Sequence, residues 1–505
     1  MNKHKLFRGM TAAVLAAALA FGSPALPETI TGLSGLVFDA EAASSDFTID
    51  KSGTITGYKG KGGKVTIPSK INGITVKKIG DRAFEYSQIT EVSIPNTVTK
   101  IGKNAFSSSK ITKVTMTDSV KNIGAACFMG CNDLKSIKLS NSITKIEPYS
   151  FDYCSALESL IIPKGVNEIG IYAFQHSGIK KINIPEGVKE LYYYTFYDTP
   201  LTEITIPDSV KEIGSYCFQE CLKLKKVTLG KNLEVIASDA FQDCISLETI
   251  HIPAKVKSIG SVRSWGIAGR ESVSVNLSNG LIALKKITVD KNNKYFKTID
   301  GILFSKDGKE LIHIPLAINK NSYTIPNSVT ILRENIYNNV SVAESLNSIK
   351  AYEEGKEYDI DEERFKRTKI KKITIPGTVD YVSSMAFWCS GIETVIIEDG
   401  VTSIDPLAFD KCRLLKKVSI PDSVKYIGSS AFSFCVGLTS ITLPDDLIMI
   451  SSSAFTGCKN LKTITIPKNI KSVDKGAFNY CDNLKIKYKG KTYTPEAFAK
   501  LSICN

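Results

Sequence analysis

LKKVSIPDSVKYIGSSAFSFCVG, residues 415–437, decides the fold, because near relatives of these 23 residues fill most of the chain. Aligning the Ala-Phe step of each relative places phenylalanine at Phe84, Phe106, Phe128, Phe151, Phe174, Phe196, Phe218 and Phe241, and again at Phe387, Phe409, Phe432, Phe455 and Phe478. Every step within the two blocks is 22 or 23 residues. Such a period in otherwise unlike sequence marks a solenoid, whose single unit cannot bury its apolar face alone and does so by stacking on its neighbours.

Within the unit, Leu415, Val418 and Ile420 are apolar and Lys417 and Ser419 between them are polar. That alternation predicts a short strand with one buried face. Pro421 ends it, since proline gives no N–H to a ladder, and proline recurs at this phase at Pro95, Pro163, Pro185, Pro207, Pro253, Pro376, Pro444 and Pro467. Val424 and Ile427 turn back inward, Gly428 is expected to supply the freedom for a corner, and Ala431, Phe432 and Cys435 close the coil. Strands of successive coils run the same way, so the sheet is parallel, with about 4.7–4.9 Å between neighbours.

These residues resemble the BspA-type leucine-rich repeats of bacterial surface proteins, whose unit is similar to LxxIxIPxxVxxIGxxAFxxCxx. The resemblance runs over about residues 50 to 490. It implies a β-rich α/β repeat solenoid, right-handed and curved, with its parallel sheet on the concave face and short turns or 3-10 segments on the convex side. For some members it implies adhesion to host proteins or to other cells.

The chain divides by pattern into six expected segments. Residues 1–43 read as a signal peptide: Lys3, Lys5 and Arg8 precede the apolar run Thr11 to Gly22, which is too short to span a membrane, and small-residue cleavage sites follow at Ala25 or Ala42. Residues 44–78 read as an N-terminal capping coil and 79–260 as a first block of repeats. Residues 261–369 are an interrupted region, in which Trp265, Gly266 and Gly269 fall where a coil should close. There a hairpin is expected with Asp307-Gly308 at its tip, then a degenerate coil with Tyr337 in the phenylalanine place, then a charged insertion from Glu353 to Lys369. Residues 370–483 form the second block and 484–505 a C-terminal cap.

The expected setting is secreted, or on the surface of a bacterium, as a monomer with no membrane span once the signal is removed. The net charge of +13 favours acidic partners. Export and the lack of any nucleic-acid motif point away from nucleic acid and toward a host or bacterial surface protein or an acidic glycan.

Twelve cysteines in an exported chain suggest disulfides, but the spacing argues otherwise. Cys131, Cys154, Cys221, Cys244, Cys412, Cys435, Cys458 and Cys481 all follow the repeat phenylalanine by three residues, as a buried ladder of small thiols would. No metal ligand set or calcium loop is present in the pattern, and no cofactor is expected. Of four histidines, His176, His251 and His313 fall in separate coils or inserts. His251 stands on an outward strand position, one coil after Thr228 and one before Lys286 if the interruption loops out, with no carboxylate to orient it. No catalytic residue is assigned and no enzyme activity is expected; a secreted hydrolase is the remotest alternative.

The outward strand positions are more informative. Lysine occupies them at Lys113, Lys138, Lys181, Lys226, Lys286, Lys372 and Lys417, glutamate only at Glu91 and Glu203, and threonine or serine fills most of the rest. These seven lysines are the candidate ligand-binding residues on the concave face, suited to a long acidic or glycosylated ligand held by many weak contacts. An adhesin for a host or neighbouring-cell macromolecule is the leading expectation, and a structural envelope protein docked on anionic wall polymers is the alternative.

Overall fold

The structure, a computed structural model, describes residues 43–261, 280–337 and 368–504. Each regular coil contributes two strands. A long one, such as Lys417–Ser419, carries the alternation, and a two-residue one, such as Tyr426–Ile427, follows the proline turn. Long strands pair in parallel with long and short with short: Thr394 faces Lys417, and Ser403 faces Tyr426. The sequence pattern predicts the first ladder; the second is too short to show a period.

Between the ladders, each proline carbonyl accepts the N–H three residues on, as Val424 N–H to Pro421 O at 3.2 Å, so the missing donor coincides with the point where the ladder ends. The corner glycine works differently from expectation. Gly428 is not left-handed; a Cβ on it would lie 2.6 Å from Pro406 N of the preceding coil, so glycine admits close backbone approach. The left-handed residues come two before and two after the phenylalanine, as Ser430 (φ 56°) and Phe434 (φ 54°). These paired turns, and not 3-10 segments, close the coil. Among the described residues the only 3-10 stretch is Ser44–Asp46 and the only α-helix Pro495–Phe498.

The phenylalanines form one spine in each block. Successive ring centroids are 5.0–5.7 Å apart with interplanar angles of 2–19°. Beside it the thiols make a second column. Each repeat cysteine donates its S–H to the phenylalanine carbonyl of the coil before, as Cys412 to Phe387 O at 3.1 Å and Cys435 to Phe409 O at 3.2 Å. All twelve cysteines are free and buried. Aromatic rings cover both ends of the stack: Tyr58 lies on Phe84 at 5.2 Å, and Phe498 meets Phe478 edge-on at 6.2 Å.

The interruption is a joint within the core. Phe296–Ile299, Ile302–Ser305 and Glu310–His313 form an antiparallel meander. The expected Asp307-Gly308 turn is its second; Asp300-Gly301, both with positive φ, makes a first that the reading overlooked. Leu303 and Ile312 pack into the core of the first block, and Ile302, Phe304 and Leu311 into that of the second. Both faces are therefore buried, and alternate residues of one sheet tie the two cores together. Tyr337 takes the phenylalanine place: it is fully buried, and its N–H donates to Ala386 O as the spine residues' do. The signal segment, Trp265, Gly266 and Gly269, and all but the last residues of the charged insertion lie outside the described residues.

Candidate functional site

Alternation along the long strand puts one set of side chains in the core and the next in solvent, and the parallel register lines up the outward set from coil to coil. Glu91 faces Lys113, which faces Ser136; Thr115 faces Lys138; Ser159 faces Lys181; Glu203 faces Lys226; Thr249 faces Lys286; Ser322 faces Lys372; and Thr394 faces Lys417. All seven candidate lysines are exposed. Within each of these ladders the register sets the lysines on the outward side of the long strands. Lys181 is not free, its Nζ lying 3.4 Å from Glu203 Oε1. The final long strand adds exposed Lys485 and Lys487, opposite Thr463 and Thr465. Sequence reasoning passed over them because the repeat phenylalanine does not follow, although Leu484-Lys485-Ile486-Lys487-Tyr488 alternates as the other strands do.

His251 also stands on this face, but its partner is Thr288: Nδ1 lies 2.9 Å from Thr288 Oγ1, and Lys286 pairs with Thr249. Burial pushes the repeat thiols up, Cys131 and Cys481 to about 11 and Cys412 to about 12, so they are protonated and poorly nucleophilic at neutral pH. Among the described residues no group of three His, Cys, Asp or Glu is placed to hold a metal ion.

A groove of about 840 Å³ lies at the joint between the blocks, flanked by Tyr295 and Tyr381. On its wall Arg333 donates to Glu310 through two nitrogens, at 2.5 and 3.1 Å. Around Tyr192, Tyr193 and Tyr194, where one coil is rich in tyrosine, rings stack from coil to coil. Tyr149, Tyr172, Tyr194 and Tyr216 lie ring on ring across four coils at 4.8–5.3 Å, so bulky side chains in left-handed positions support one another.

The BspA type leucine rich repeat region, in six copies, matches residues 77–200, 189–263, 317–425 and 402–503. The chain belongs to the BspA-type leucine-rich repeat family. Solved structures similar to this BspA-type chain include a leucine-rich repeat protein of Bacteroides ovatus (25% identity, 87% of this chain and 94% of that one, TM-score 0.47). A leucine rich cell surface protein of Faecalibacterium prausnitzii is also similar (24% identity, 88% and 93%, TM-score 0.42), as is the pneumococcal vaccine antigen PcpA (21% identity, 89% and 86%, TM-score 0.41). No curated protein matches the sequence. Among the described residues of this BspA-type chain no helix is long and apolar enough to cross a membrane.

Proposed function

We propose that this chain is an exported binding protein, a bacterial cell-surface adhesin that holds a host or neighbouring-cell macromolecule on the outward face of its long-strand ladder. One observation supports the reading: exposed lysines recur on the outward side of the long strands of both blocks, in register within each ladder, among threonine and serine hydroxyls. Neighbouring strands lie about 4.8 Å apart, so a long acidic or glycosylated partner meets a row of weak contacts that add along its length. The overall charge of +13 raises the encounter rate with such a partner. The same charge supports a second reading, docking on the producer's own anionic wall polymers.

An array of matrix proteins and acidic glycans tests the proposal, using the wild-type chain and a variant with Lys113, Lys226 and Lys417 replaced by glutamate. Saturable binding at physiological salt that the variant loses at least tenfold is the expected result. Binding unchanged in the variant rejects the lysine face. Retention on cell walls that collapses with added salt, with no array target, selects the wall-polymer reading.

A further inference from the structure

The return turns that follow each phenylalanine build a second surface, separate from the lysine face. Two residues after each phenylalanine the backbone is left-handed, and these positions stack into a column: Tyr86, Ser108, Gly130, Tyr153, His176, Asp198 and Glu220. Backbone hydrogen bonds hold the column together, as from Gly130 N–H to Asp152 O at 2.8 Å and from Tyr153 N–H to Gln175 O at 2.9 Å. On one side Tyr153 stacks on His176, centroids 4.2 Å apart and 21° from parallel. On the other side the column drops to Gly130 and Ser108, and among the described residues no ring covers that second face of Tyr153. Tyr153 is 50% exposed.

The drop opens a cavity of about 410 Å³, which Tyr153, Asp152, Gly130, Ser108 and Asn132 help to line. That volume lies in the roughly 300–1,000 Å³ range of small-molecule sites. Asp152, only 6% exposed, forms part of the notch wall, while its buried Oδ1 is turned to His176 of the next coil, 3.5 Å from Nδ1. Oδ2 is the carboxylate oxygen left to accept from a hydroxyl donor in the notch. Lys110, also on the cavity wall, is 3.7 Å from Asp133, which offsets its charge for an incoming anion.

We infer that this notch is a saccharide-binding site that takes a neutral sugar ring, its C–H face laid on the open face of Tyr153 and its hydroxyls bonded to Asp152 and Asn132. An open aromatic face beside a carboxylate, an amide and a hydroxyl suits a ligand that is apolar on one side and rich in hydroxyls at its edge. An acidic ligand is disfavoured by Asp152 and Asp133, and a purely apolar one offers no hydrogen bond to Asn132 or Asp152 Oδ2. The inference does not depend on the lysine face, whose ligand is acidic and whose contacts are many and weak.

Gly130 supplies the discriminating variant. Tyr, His and Asp occupy its place in the next coils at φ 48–58°, and a Cβ on Gly130 (φ 70°) would come close only to the flexible Ser108 Oγ, at 3.0 Å, with Ser108 Cα and N at ordinary contact distances of 3.6 and 3.7 Å. Gly130→Tyr is therefore expected to extend the ring stack and fill the notch without unfolding the coil. The full chain is titrated by calorimetry with a panel of neutral hexose and N-acetylhexosamine oligosaccharides, with choline and lysine as cationic competitors. The variants are Gly130→Tyr, Tyr153→Ala and Asp152→Asn, each checked for an unchanged melting transition, and Lys226→Glu reports on the other face. At least one oligosaccharide should bind the wild type and Lys226→Glu alike and lose tenfold or more in each notch variant that still folds. The proposal is overturned if no neutral oligosaccharide binds at millimolar concentration, if Gly130→Tyr binds as well as wild type, or if choline or lysine occupies the notch in preference to every sugar.

Discussion

Single residues in this chain answer to the coil before them as much as to their own. Gly124 sits over Gly102, and a Cβ there would lie 2.6 Å from Gly102 C and Lys103 N. Glu147, Tyr192 and Asp405 occupy the same place in other coils, so the stack can widen locally, at a cost. Gly124→Ala is expected to lower unfolding free energy by about 1–3 kcal/mol, read from the midpoint of a denaturant titration. A shift below 0.5 kcal/mol would mean that backbone approach is not what selects glycine.

His313 makes the other residue-scale case. It is 6% exposed with neither ring nitrogen bonded, and burial pushes its pKa down to about 4 from the ordinary 6.5. The folded state therefore binds fewer protons than the unfolded chain between those values, so stability rises with pH across pH 4 to 6.5 and is lost as pH falls. The full effect is about 3 kcal/mol. His313→Phe should remove that slope, measured as the difference between the two proteins' denaturation midpoints at pH 7 and pH 4.5; parallel curves would contradict the assignment.

At the scale of the element, the long strand was readable because it alternates over several residues, and its register was readable because phenylalanine marks the phase of every coil. The short strand was not. Two residues such as Tyr426–Ile427 carry no period, and only their pairing with Ser403–Ile404 and Met449–Ile450 makes them a ladder. The Asp300-Gly301 turn escaped for a related reason: Ile299 and Ile302 flank it closely, so the stretch reads as one strand. Because each coil contacts only its neighbours, the coil is also the unit that can be removed. Deleting residues 175–196 leaves Phe174 one full step before the next phenylalanine, whereas deleting 175–185 puts the two sides half a coil out of phase. The first deletion should keep a cooperative melt and the second should lose it, followed by circular dichroism.

For the whole molecule, the solenoid of stacked coils with parallel strands was legible, since repetition shows the same reading thirteen times over in the phenylalanines alone. The lysine face was legible in the same way: its residues sit at fixed phase, and stacking alone brings them together. What the repeat phase cannot show is a departure that matters, such as the step from Tyr153 to Gly130, where a small residue next to a large one makes a cavity. Nor does it show chemistry between coils. The cysteines read as small apolar filler, while the structure gives each repeat thiol a carbonyl to bond, so they act as rungs as well as packing. The free thiols and the spine follow from one arrangement, coils stacked in register. Mass spectrometry after maleimide labelling, without reductant, tests that arrangement most directly. It should find no label on the native protein and twelve labels once the chain is unfolded in denaturant. Native labelling of the repeat cysteines, or fewer than twelve labels after unfolding, would contradict it.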